Sequence, residues 1–486
     1  MAHSPSLFFY LRISVLVIVG VLLPRAGYAE CVADPQWLPK TPTPTFDRPP
    51  PHPEPDCVFY KPAWQNFLFA AQPTNGSPTF LSYPTIGDVF GPAVAPTLSP
   101  IAAKRLNLLA LAPRALKGSN DPTTDTPRLP GPNSATSINA GVRQAGFAGL
   151  LIDQSGQPIF YAIHMNQTFA DFVRSKQLTT KAAVENADPN LELPKGAVEL
   201  KSAWRVVPKG NVPENYITVE ASVPTLKRKG ELLEVDESAP LRSETVALLA
   251  LHVVFIPEGH PEFVWATFEH VDANGTRDLA PAAASQPSPD NGLPGGVDGP
   301  VKAQDFVLYK GGTLASAANQ FLTDAIMASS FDERHRTFLS GGKPLQTSIY
   351  RMFPGSKSVG AGMDEDEDIV DLNKSMTSLF AQNAPNDPRR NYRLVGAIWM
   401  DKPERFAPGM KIENPAGMTT DDPAAIVAGE DGLSSMAMES FTQNSFVNCF
   451  SCHDTRVVKD LNGNVVLKAK KLNVSHIFSK FVIDSK

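Results

Sequence analysis

Four stretches in the middle of the chain are strongly apolar, rich in β-branched and aromatic residues, and closed off by Pro or Gly. They read "AVELKSAWRVV" from Ala197, "NYITVEASV" from Asn215, "ETVALLALHVVFI" from Glu244 and "EFVWATFEHV" from Glu262. Such runs fit a pleated surface and predict strands. Just before them, "GFAGLLID" and "QPIFYAIHM" flank "QSG", which predicts a hairpin. A further strand is expected in "NYRLVGAIWM" from Asn391. Together they predict a single sheet or a two-sheet sandwich.

A period of three to four takes over elsewhere. Phe59, Trp64, Phe67, Leu68 and Ala71 predict a helix over residues 58–71, with Pro62 at an early position. Phe169, Phe172 and Val173 predict another within "MNQTFADFVRSKQL". Weaker helical patches lie at 101–111, 314–328 and 369–381. From Asp431, a possible N-cap, the positions Leu433, Met436, Ala437, Ser440 and Phe441 predict a helix that runs into Cys449. The tail carries Asn462-Gly463 between apolar runs, a small hairpin signal. The expected class is α+β: a β-rich sheet or sandwich body with peripheral helices and a small, helical C-terminal segment. The predicted divisions are 1–29, a Pro-rich region over 30–141, the β-rich body over 142–430 and the last segment over 431–486.

Composition adds the compartment. Arg12, an apolar run from Ile13 to Leu23, and Gly27 and Ala29 before a cleavage point predict a secretory signal peptide over 1–29. That run is short for a membrane span, and no later segment approaches one. Export to the periplasm or outside the cell permits disulfides. Cys31 and Cys57 bracket a loop too proline-rich to build a core, so a bond between them is expected to pin the N-terminus to the body. The chain has 45 prolines, and its net charge of −6 argues against nucleic acid as a partner. The "DEDED" run at 364–368 lacks a calcium-loop layout and reads as solvated surface.

The remaining two of the four cysteines stand in "NCFSCHD", as Cys449, Cys452 and then His453. Cys-x-x-Cys-His is the attachment pattern of c-type haem. Two thiols one turn apart match the two vinyl groups of the porphyrin, and the adjacent imidazole reaches the iron. Covalent attachment of this kind takes place outside the cytoplasm, in agreement with the export signal. The competing readings are a redox dithiol, a zinc site short of a fourth ligand, and a plain disulfide.

On these residues the C-terminal part resembles c-type cytochromes, and the whole chain is similar to secreted bacterial proteins with a single C-terminal haem motif. The stretches "DCVFYKPAWQNFL", "KSAWRV", "WATFEHV" and "NCFSCHD" carry the second likeness. The resemblance implies one haem c on Cys449 and Cys452 with His453 as proximal ligand, and electron transfer with an unknown redox partner. One departure stands out: no methionine follows His453 to serve as sixth ligand. His476 is the first distal candidate and His270 the second, with His252 and His164 behind them, or the site is open. Met436 and Met438 are expected in the core. A peroxidase-like alternative would use Arg205 and His270 as cation and base. A third reading makes the β body a binding module with the haem as redox port, Trp204, Trp265 and Phe268 being expected in its core.

Overall fold

The apolar runs become strands, and the strands form one sheet rather than a sandwich. A computed structural model describes residues 31–49, 56–74, 76–90, 106–107, 145, 149–208, 210–236, 238–275, 277–282, 303–352, 354–356, 366–414, 424–430, 432–443, 448–459 and 463–485. The expected signal peptide, most of the 101–111 patch and most of the 280–300 loop lie outside these residues. Cys31–Lys486 forms one compact unit.

The strands of that sheet are β1 (Phe160–Met165), β2 (Val198–Val206), β3 (Thr218–Val223), β4 (Arg242–Phe255), β5 (Val264–His270), β6 (Tyr392–Met400) and β7 (Val427–Gly429). Their order is β7-β6-β5-β4-β2-β1, with β3 paired to the first half of β4. All of these pairings are antiparallel. Leu106–Asn107 runs parallel to β3 as an eighth strand, where the sequence had suggested helix. The hairpin ahead of β1 forms as expected. Asp153 Oδ1 accepts from the backbone of Ser155 and Gln157, and Gly156 takes a φ of +75°.

Strand β5 is buried along its whole length, so both faces of the sheet are covered. One face packs on α1 (Cys57–Ala70), where Phe67 stacks on Phe268 at 4.4 Å and Trp64 meets it edge-on at 5.0 Å. The disulfide between Cys31 and Cys57 fastens the N-terminal segment to the first residue of that helix. Helix α1 starts before the apolar stripe does, which leaves Pro62 inside it. The other face packs on α2 (Gln167–Ser175), capped by Asn166, and on α4 (His476–Asp484), with Phe169 stacked on Phe478. Helix α3 (Glu367–Asn383) contacts β6, and Asp366, the middle acid of the "DEDED" run, becomes its N-cap.

Among the described residues the helix predicted from Asp431 does not form. Residues 432–443 form a two-residue strand, Gly432–Leu433, followed by tight turns. Tertiary hydrogen bonds take the backbone groups a helix would need. The buried Arg351 guanidinium donates to Ser434 O, and Glu269 Oε1 accepts from Met436 N. Arg351 and Glu269 also pair with each other, both almost wholly buried. The tail hairpin forms as β8 (Val458–Lys459) and β9 (Val465–Leu467). It does not stand apart from the body: Phe450, Leu467, Leu472, Phe478 and Phe481 share one apolar cluster with Met165, Trp265 and Ile398 of the sheet.

Candidate functional site

Cys449 opens a single 3-10 turn, Cys449–Ser451, rather than ending a helix. The backbone N–H groups of Cys452 and His453 both donate to Cys449 O, at 3.1 and 2.9 Å. This keeps the two thiols and the imidazole on one turn. Phe450 between the cysteines is fully buried in the shared cluster and anchors the turn. Beyond it, Thr455 ties the exit of the motif to the 407–410 turn through Ala407 O and Met410 N. Asn473 Nδ2 then bridges Arg456 O and Lys468 O.

The sulfurs of Cys449 and Cys452 are free and half-buried. Burial, with Glu439 as the next cause, pushes the Cys449 thiol well above its ordinary value and the Cys452 thiol up to about 12. A reactive dithiol needs the opposite, a depressed thiol at a helix N-terminus or beside a cation. His453 donates from Nδ1 to Val474 O at 2.9 Å. Its ring lies 4.0 Å from the Trp265 ring and 4.0 Å from that of His476. Burial, then His476, lowers its basicity well below the usual imidazole value, so it is held neutral.

His476 has a different place from the one expected. It stacks nearly parallel on His453, at 23°, and its Nε2 donates to Cys452 O at 3.1 Å. Two imidazoles that ligate one iron from opposite sides meet edge to edge, not face to face. His270 is not brought to the motif. Its Nδ1 bonds Asp278 at 2.8 Å, its Nε2 meets Asn215 O at 3.0 Å, and Tyr216 stacks on it at 3.5 Å. Arg205 pairs with Asp153 at 3.6 Å, so the expected Arg205–His270 pair does not form the pocket of a peroxidase beside Cys449 and Cys452. His164 packs edge-on against Phe80. Met436, Met438, Trp204 and Phe268 are core residues, as the sequence suggested.

The sheet supplies Glu199, Lys201 and Thr267, which sequence reasoning passed over, beside His252 and Trp265, which it had named in other roles. Side chains two apart on a strand share a face. Across β2, β4 and β5, Glu199, Val254 and Trp265 stand in one row, and Lys201, His252 and Thr267 in the next. The first row touches the C-terminal segment directly: Trp265 meets His453, and Ser475 Oγ donates to Glu199 Oε2 at 2.7 Å. The second row is a hydrogen-bonded relay. Thr267 Oγ1 meets His252 Nδ1 at 3.0 Å, and His252 Nε2 meets Glu439 Oε1 at 2.9 Å. Glu439 Oε2 accepts from Ser435 N.

The electrostatics of these rows are mixed. Burial works to raise the Glu439 carboxyl, but His252 and Lys201 outweigh it and hold it below its ordinary value. An ionised Glu439 then fixes the proton of His252 on Nε2. Burial lowers the Lys201 ammonium against the pull of Glu439, Glu199 and the two motif cysteines. Burial also pushes Glu199 up to about 7, against the Ser475 hydrogen bond and Lys201. A signal for this floor was present in the sequence: Glu199, Lys201 and His252 are polar positions inside runs otherwise apolar on both faces.

Among the described residues no group of three or more His, Cys, Asp or Glu side chains is arranged to hold a metal ion by itself. No helix among them is long and apolar enough to cross a membrane. No family model, no curated protein and no solved structure matches this chain.

Proposed function

We propose that this chain is an exported c-type cytochrome that carries one haem on Cys449 and Cys452, with His453 as its proximal ligand, and transfers electrons to or from a partner protein. The observation that carries the reading is the hydrogen bond from His453 Nδ1 to Val474 O. A proximal histidine needs its second ring nitrogen tied to an acceptor, so that Nε2 is the ligating atom and the ring cannot turn. Here that bond is made beside two free thiols held on the same turn. A bound haem would supply a one-electron iron couple whose potential is set by axial ligation, burial and nearby charge. The chain's own part is to hold the imidazole neutral, clamp its ring against Trp265 and His476, and surround the site with Lys201, His252, Glu439 and Glu199.

A second reading, a haem oxidoreductase, draws on one observation. Lys201 and His252 are direct cross-strand neighbours, a cation beside a base oriented by a carboxylate. A positioned base beside a cation is suited to proton transfer to a bound small molecule. The optical spectrum of the exported ferric protein separates the two. A low-spin spectrum that cyanide leaves unchanged supports electron transfer. A high-spin spectrum that shifts with cyanide or peroxide supports the enzyme. A spectrum without any haem band contradicts both.

A further inference from the structure

The acceptor for His453 is not on a rigid element of its own. Val474 closes the short 3-10 turn Lys471–Val474, and the next residue, Ser475, caps α4. What holds this junction to the body is a buried contact between side chains. Ser475, fully buried, donates from Oγ to Glu199 Oε2 at 2.7 Å, and Glu199 sits on β2 deep in the sheet. Residues 474 to 476 then supply three features of the site in succession. Val474 O accepts from His453, Ser475 is the anchor, and His476 stacks on His453 while bonding Cys452 O.

A carboxyl buried in a strand is costly unless it is paired or hydrogen-bonded, and Ser475 supplies that bond. Lys201, a cation two positions along the same face of the strand, lies close enough to act on Glu199. The motif turn and the helix start belong to one chain segment, and both meet the sheet in one row, His453 at Trp265 and Ser475 at Glu199. From this chain of contacts we infer that Glu199 is a positioning residue. Through Ser475 it fixes the Val474 carbonyl that orients His453, and so sets the electron-donating strength of the proximal imidazole. The inference rests on the haem reading above and adds to it a determinant remote from the motif in sequence.

The test is the midpoint potential of the exported holoprotein, read near pH 6, where Glu199 is mostly uncharged. The variants are Glu199→Ala, Glu199→Gln, Ser475→Ala and the double Glu199→Ala/Ser475→Ala. A firm Nδ1–H bond makes the imidazole a stronger ligand and favours the ferric state. Loss of the anchor is therefore expected to raise the potential in Glu199→Ala and Ser475→Ala. The double variant should move no further than the singles, because both remove one interaction. Glu199→Gln keeps an acceptor for Ser475 and should stay at the wild-type potential. An unchanged potential in Glu199→Ala overturns the inference. So does an equal shift in Glu199→Gln, which keeps the acceptor and removes little charge at this pH, or additivity in the double variant. Where Glu199→Ala fails to fold, Ser475→Ala carries the comparison. Absence of covalent haem in the wild type is read first, and it would remove the function itself rather than the positioning role alone.

Discussion

Glu199 offers a quantitative test that does not need the haem. Its carboxyl is pushed from an ordinary 4.5 up to about 7, chiefly by burial. The folded protein therefore holds that proton more tightly than the unfolded chain does. Between the two values the folded state binds more protons, so stability falls as pH rises. The contribution is neutral below about pH 4.5 and fully unfavourable above about pH 7. The full displacement is worth about 3 kcal/mol. Glu199→Gln keeps the acceptor for Ser475 and cannot ionise. Relative to wild type it should gain about 3 kcal/mol of stability between pH 4 and pH 8. The measurement is urea unfolding of both proteins across that range, comparing midpoints with the slopes held in common. His453, His476 and Glu439 titrate alike in both proteins and drop out of the difference. A difference between variant and wild type that is flat with pH would refute the reasoning, and one that falls with pH would reverse its sign.

Two other consequences are open to measurement. The Cys31–Cys57 bond closes a separation of 26 residues, which in the chain-entropy account stabilises by about 3.5 kcal/mol; Cys31→Ala/Cys57→Ala should lose roughly that in urea unfolding, and a loss under about 1 kcal/mol would contradict the pinning role. Arg351→Met alone should cost about 3–5 kcal/mol by stranding the buried Glu269 carboxylate, while Arg351→Met/Glu269→Leu should recover most of it; calorimetry that finds the double variant no better than the single would contradict this.

The sheet was legible because its strands are long, apolar and bounded by turn residues, and because the 152–158 hairpin has an Asp and a Gly where the turn needs them. The expectation of a helix into Cys449 failed for a reason local sequence cannot carry. The apolar spacing of Leu433, Met436, Ala437 and Phe441 is present, but Arg351 and Glu269 claim the backbone of Ser434 and Met436 from more than eighty residues away. A period in sequence reports which side chains are buried, not which backbone groups are already engaged.

The motif and its disulfide-bonded counterpart could be read from cysteine spacing, whereas the surroundings of the motif could not. Which strand histidine faces the motif depends on sheet register. Register puts His252 beside Lys201 and turns His270 toward Asp278 and Asn215 instead. Trp265 was expected to be ordinary core and is core, yet its ring also forms one wall of His453. His476 was expected on the distal side of the iron, opposite His453, and instead lies against it. Its partner proved to be the neighbouring imidazole and the Cys452 carbonyl.

The central claim is that Cys449 and Cys452 are thioether-bonded to a haem whose iron His453 ligates. Intact-mass spectrometry of the full chain after export, paired with an alkaline pyridine haemochrome spectrum, tests it most directly. The account predicts one haem per chain that survives denaturation and acid–acetone extraction, and that is lost in Cys449→Ser/Cys452→Ser. A wild-type chain of unmodified mass, with both thiols open to alkylation and no haemochrome band, would contradict it.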